Sequence, residues 1–222
     1  MRVDTTLLNG DSLALSVPDA TALSTPVRTS VLAAAKTELE VNTGDGAALD
    51  FYLESTGSEL TSEITLRSGM RLRSGPLGGG TGLIFVLDVG RQAIFGPAPP
   101  GLALSDLAEV LIDARPESGA DGPVLRPHGK VSWSPSRTHD LVVSADISGG
   151  AYVLDVRRAF ADETEELAGA KVKGGTLSRS QPGESRHVIL NTPNYVIYGI
   201  PTPNTDVDVL VTSMADVTVS DR

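Results

Sequence analysis

Between residues 62 and 73 the chain keeps its apolar side chains on one parity and its charged ones on the other. Ile64, Leu66, Met70 and Leu72 alternate with Thr65, Arg67, Arg71 and Arg73. Successive side chains of a strand point to opposite faces, so this spacing predicts a half-buried sheet that turns three arginines outward. Thr37-Glu38-Leu39-Glu40-Val41 alternates as strictly, and the turn 42–46 after it leads to 48–53 as a hairpin partner. The unbroken apolar run 83–87 fits a strand covered on both faces. Further strands are expected at 141–147 and 151–156 around Ser148-Gly149-Gly150, then at 188–190, 196–200, 207–212 and 217–219.

Two segments read as helix instead. Ser105 is placed to cap a short helix over 106–113, with Leu107, Val110 and Leu111 on one face, and a strand over 109–114 fits the same stretch nearly as well. The acidic stretch 160–168 reads as a second. The pattern gives an all-β, mainly antiparallel class: a β-sandwich or a jelly-roll or barrel, with one or two short helices. Aromatic residues are only 4%, so Val, Leu, Ile and Ala must fill the core, a composition that suits pleated surfaces. Residues 1–28 are polar and turn-rich and read as an arm or edge strand. Residues 29–222 read as a single β-rich domain, with the Pro/Gly-rich stretch 116–129 as the place for any boundary.

Charge and cysteine content exclude several function classes. The formal net charge is −10, whereas a general nucleic-acid binder presents a basic face, so direct nucleic-acid contact is not expected. No apolar run approaches the ~20 residues that span a bilayer, and no apolar stretch follows Arg2 as in a secretory signal. The reading is a protein made soluble, without membrane insertion. With no cysteines, disulfides, thiolate metal sites and cysteine nucleophiles are all ruled out.

Candidate chemistry is sparse. The histidines are His128, His139 and His187. His139 neighbours Asp140 and lies near Ser134 and Ser136, but there is no G-x-S-x-G elbow, and strand neighbours point to opposite faces. Asn42, Asp45 and Asp50, and separately Asp206 and Asp208, are the oxygen-rich places where calcium would be sought, yet neither follows the calcium-loop spacing. The Gly-rich stretch 78–82 enters a strand and carries no Lys, unlike a phosphate-binding loop. A sugar site would lean on aromatic platforms, and Trp133 is the single tryptophan. The reading is no catalysis, no metal and no cofactor.

The feature that remains is the stripe Arg67, Arg71 and Arg73. The cluster Asp162, Glu163, Glu165 and Glu166 is its natural complement, within one molecule or between copies, and both are taken as interface residues. A Gly/Thr/Val-rich, cysteine-free β-chain with a polar arm and no catalytic signature resembles virion structural proteins of the capsid, decoration and tail types. That resemblance implies a structural subunit located in a virion, self-associating and meeting other structural subunits. A β-sandwich module for a glycan or other ligand is the second reading, and a hydrolase the third.

Overall fold

A computed structural model describes residues 1–35, 37–79, 81–135, 139–159, 169–180 and 186–222. The chain divides into two compact units. The first holds Met1–Leu7, Asp11–Pro26 and Asp140–Arg222; the second holds Leu8–Gly10 and Val27–His139. The division falls at Pro26 and His139, and the stretch 116–129 lies inside the second unit.

The first unit begins with β1 (Arg2–Thr6), β2 (Ser12–Ser16) and β3 (Ala22–Leu23). The second follows with β4 (Val27–Ala34), β5 (Thr37–Gly44), α1 (Gly46–Thr56), β6 (Ser62–Thr65), β7 (Arg71–Pro76), β8 (Leu83–Val89) and β9 (Gln92–Ala98). It closes with α2 (Leu104–Asp113), β10 (Pro116–Gly119), β11 (Gly122–Leu125) and β12 (Val131–Trp133). The chain then returns to the first unit with β13 (Asp140–Ile147), β14 (Gly150–Arg158), β15 (Ala170–Val172), β16 (Gly175–Arg179), β17 (Val188–Asn191), β18 (Tyr195–Pro201), α3 (Val207–Met214) and β19 (Thr218–Asp221).

The expected class is borne out: the fold is mostly antiparallel β. In the second unit the strands run β12-β4-β5-β9-β8-β7-β6, and β10 pairs with β11 beside them. Alternation along β8 explains why its run is wholly apolar. Phe85 and Leu87 join one cluster with Leu107 and Leu111 of α2, while Val86 joins Leu49 of α1 and Phe95 in another. The two sets point to opposite faces, so each face of the sheet has its own helix.

Helix α1 replaces the strand expected at 48–53. The Asp45 carboxylate accepts from Ala48 N at 3.0 Å, and Gly57, at φ 60°, ends the helix in the left-handed region. These caps outweigh a short apolar run that fits either period. Helix α2 begins two residues earlier than a Ser105 cap would start it. Ala103 is its N-cap, and the Asp106 carboxylate reaches back to Ala103 N at 2.9 Å.

In the first unit the order is β3-β13-β14-β18-β17-β16-β15, and a smaller sheet, β1-β2-β19, covers it. Leu141, Val143 and Ala145 of β13 and Tyr152, Leu154 and Val156 of β14 point into one core. They meet Leu13 and Leu15 of β2 and Leu210 and Met214 of α3. Residues 1–28 are therefore not a free arm: β1 to β3 are built into the unit, and Leu7, Leu13, Leu15 and Val17 are buried. Helix α3 overturns the strand expected at 207–212. Val207, Val209 and Val211 suggest period two, but Asp206 caps the segment through Asp208 N at 2.8 Å, and Leu210 and Met214 bury one helical face.

Tyr152 lies in this core. Its hydroxyl meets Ser213 Oγ at 2.6 Å, and Ser213 Oγ donates to Asp19 Oδ1 at 2.8 Å. Burial pushes the Tyr152 phenol up to about 12, while the Ser213 hydrogen bond works the other way. An unfolded tyrosine ionises near 10. Between those values the unfolded chain releases a proton that the native chain holds, so stability falls as pH rises from 10 to 12 and is unaffected below. Phenolate absorbance is expected to rise together with loss of far-ultraviolet dichroism in that window. A Tyr152 phenolate that titrates with its midpoint near pH 10 while the sheet stays intact would show that Tyr152 is not sealed in.

Candidate functional site

The arginine stripe is where sequence and structure part. On β7, Arg71 stands opposite Asp88 of β8, and Arg73 is one pleat along. Asp88 accepts from both, from Arg71 Nε at 2.8 Å and from Arg73 Nη2 at 2.7 Å. Glu63 of β6 adds a longer contact to Arg71 at 3.7 Å. The Asp88 hydrogen bond and charge raise the Arg71 guanidinium above its ordinary value. The stripe is thus neutralised largely within its own sheet, by strands whose pairing the sequence did not specify. Arg67 is separate from it. It sits in the β6–β7 turn closed by the Leu66 N to Met70 O hydrogen bond of 2.8 Å, exposed and without an ion pair among the described residues. Asp162, Glu163, Glu165 and Glu166 lie outside the described residues.

The other candidates fill framework roles. Asp45 and Asp206 are helix caps, and Asp208 pairs with Arg179 at 2.6 Å. Asn42 donates to Glu40 at 3.0 Å and accepts from Thr29 at 2.7 Å. Ser134 Oγ donates to Glu38 at 2.6 Å, so its hydroxyl proton is held by a carboxylate. His139 packs edge-on against Trp133, with ring centroids 4.5 Å apart. Trp133 is half-buried against the second unit's core. Among the described residues, no three His, Asp or Glu side chains are grouped to share an ion.

Two features escaped the sequence reading. The first is Arg28 of β4, buried at 2% exposure. It donates to Gln92 Oε1 at 2.8 Å and to Thr43 Oγ1 at 3.3 Å. Burial lowers its guanidinium to about 10, against the charge of Asp121, which raises it. The second is a groove of about 410 Å³ in the second unit, between α2 and the β4–β5 turn. Ala34, Leu102, Val110 and Val131 form its apolar floor; Asp106, Glu109, Asp113 and Lys130 form its rim. No histidine lines it. Its only sequence signal was the spacing of Asp106, Glu109 and Asp113 along one face of α2.

No family model, curated protein or solved structure matches the chain.

Proposed function

We propose that the protein is a structural subunit that assembles with further copies of itself, in a viral or phage-like particle, and performs no catalysis. The observation that carries this reading is the pair of sheet ends. Among the described residues β6 closes the strand order in the second unit and β15 in the first, and both strands are largely exposed. The Leu66 to Met70 hydrogen bond fixes the alternation along β6. Ser62 and Ile64 then bond toward β7, and the backbone groups of Glu63 and Thr65 point away from the sheet. An open edge is a ready template for another strand, which soluble proteins usually blunt. Two such edges on one chain let pairing continue from copy to copy, by rings or by extension.

The test is mass in solution by light scattering, from low to molar salt. The unmodified chain is expected to exceed one chain's mass. Thr65→Pro removes an outward donor and leaves the β7 ladder intact, so it is expected to fold normally and reach no more than two chains. A monomer at every concentration and salt, alone and with co-produced structural subunits, overturns the proposal. A second reading, a ligand-binding module, is supported by the groove beside α2. A thermal-shift screen of small amphiphiles tests it, and no shift with any of them would remove it.

A further inference from the structure

The two strand orders can be superimposed element by element, and the agreement extends to register. In the β8–β9 hairpin Val86 faces Phe95; in the β17–β18 hairpin Ile189 faces Tyr198, each residue 103 positions later. Leu32 faces Leu39 between β4 and β5, and Ala145 faces Tyr152 between β13 and β14, each 113 positions later. The junctions agree as well: Asn42 faces Phe95 and Asp155 faces Tyr198, Leu72 faces Leu87 and Leu177 faces Leu190, Ile64 faces Leu72 and Ala170 faces Leu177. From β9 through α2 the 103-residue displacement runs without a gap. It superimposes Gly96 on Gly199, the N-cap Ala103 on the N-cap Asp206, and the buried Leu107 and Leu111 on Leu210 and Met214.

The leading strands obey the same rule, but each pairs with strands from the other half of the sequence. β11 pairs with β10 through Leu125 and Pro116, and β2 pairs with β19 through Leu15 and Val219. β12 pairs with β4 through Trp133 and Leu32, and β3 pairs with β13 through Leu23 and Ala145. Both leading strands are displaced by 110 residues, so 12–23 corresponds to 122–133.

We infer that the chain is one arm-and-body module written twice, and that each module's arm completes the other module's sheet. The first module is 12–119 and the second 122–222. Strands β2 and β3, the arm of the first, serve the body at 140–222. Strands β11 and β12, the arm of the second, serve the body at 27–119. The partner that each arm recognises is thus a second copy of its own module. The proposal does not depend on assembly between chains.

It also shows where the modules have diverged. Buried Arg28 of β4 falls on buried Leu141 of β13. The groove lies in the second unit, and the equivalent positions of the first unit carry different side chains: Ala34 falls on Ile147, Asp106 on Val209 and Glu109 on Thr212. The framework is shared and the polar chemistry is not.

The test is a transplant within the full-length chain. Residues 123–133 are replaced by the sequence of 13–23, or, as the control, by that of 12–22, which slips the register by one and turns the apolar set outward. The in-register chain is expected to keep a cooperative melt within about 10 °C of the unmodified protein. The slipped chain is expected to lose the second unit's transition and expose 27–119 to protease. If the two chimeras behave alike, both folded or both unfolded, the arms do not share a register and the duplication is overturned.

Discussion

A chain starting at Val27 is expected to lose the folded unit built on 140–222 while the β8–β9 region stays folded. Strands β1 to β3 place Leu7, Leu13, Leu15 and Val17 in the first unit's core, each at 1% exposure or less. Burying such a side chain stabilises by roughly 1.5–3 kcal/mol, so the four together contribute about 6–12 kcal/mol. A whole domain is stable by only about 5–15 kcal/mol. Losing residues 1–26 also removes the ladder that β2 makes with β19 and the Asp19 acceptor of Ser213. It removes Asp11 too, which pairs with Arg158. Leu8 of the second unit is lost as well, but it is a single buried leucine among the many that fill that core. Hydrogen exchange read by mass spectrometry distinguishes the outcomes. Amides of 140–158 and 195–217 are expected to exchange at once and those of 83–98 to remain slow. Continued protection at 140–158 would mean that the leading strands only decorate the unit.

The sequence left this segment open between an arm and an edge strand for a physical reason. Ser12-Leu13-Ala14-Leu15-Ser16 alternates, but its polar positions are small and the stretch is short, so it resembles a solvated arm. Its burial comes from β13, β14 and α3, more than a hundred residues later, which no local pattern reveals. Where burial is one-sided and the run long, the period was enough: β5 and the β6–β7 pair lie where their alternation placed them. The unbroken run of β8 was legible as a two-faced strand because composition alone records that both faces are covered.

Helices α1 and α3 were misread because each carries a short apolar stretch that fits both periods, and the caps Asp45 and Asp206 settled the choice. The candidate site was less legible still. Arg71 and Arg73 could be seen as a stripe, but their partner Asp88 is set by the β7–β8 register. The duplication left few identities, among them Gly96 with Gly199 and Leu107 with Leu210. What the modules share is mostly register and burial, which appear only once the strands are paired.

Those two glycines lead to a sharper expectation. They occupy the same place in their modules, yet alanine should cost very different amounts there. A Cβ on Gly96 would lie 2.3 Å from the Glu40 carbonyl oxygen and 3.3 Å from the Phe85 ring. The carbonyl belongs to the backbone of β5 and cannot turn aside, so β5 and β9 must part where their pairing ends. Overpacking a core usually costs about 1–3 kcal/mol, and a clash with backbone belongs at or above the top of that range. A Cβ on Gly199 would instead meet Met214 Sδ at 2.9 Å and a Leu210 methyl at 3.2 Å. Methionine has three rotatable bonds and a polarizable sulfur, so it can yield for about 1 kcal/mol or less. Denaturant midpoints followed separately for the two units check this. Gly96→Ala is expected to lower the second unit's midpoint severely, and Gly199→Ala to move the first unit's only slightly. Equal losses would mean that the β5–β9 crossing has slack, and that Gly96 is retained for some reason other than close backbone approach.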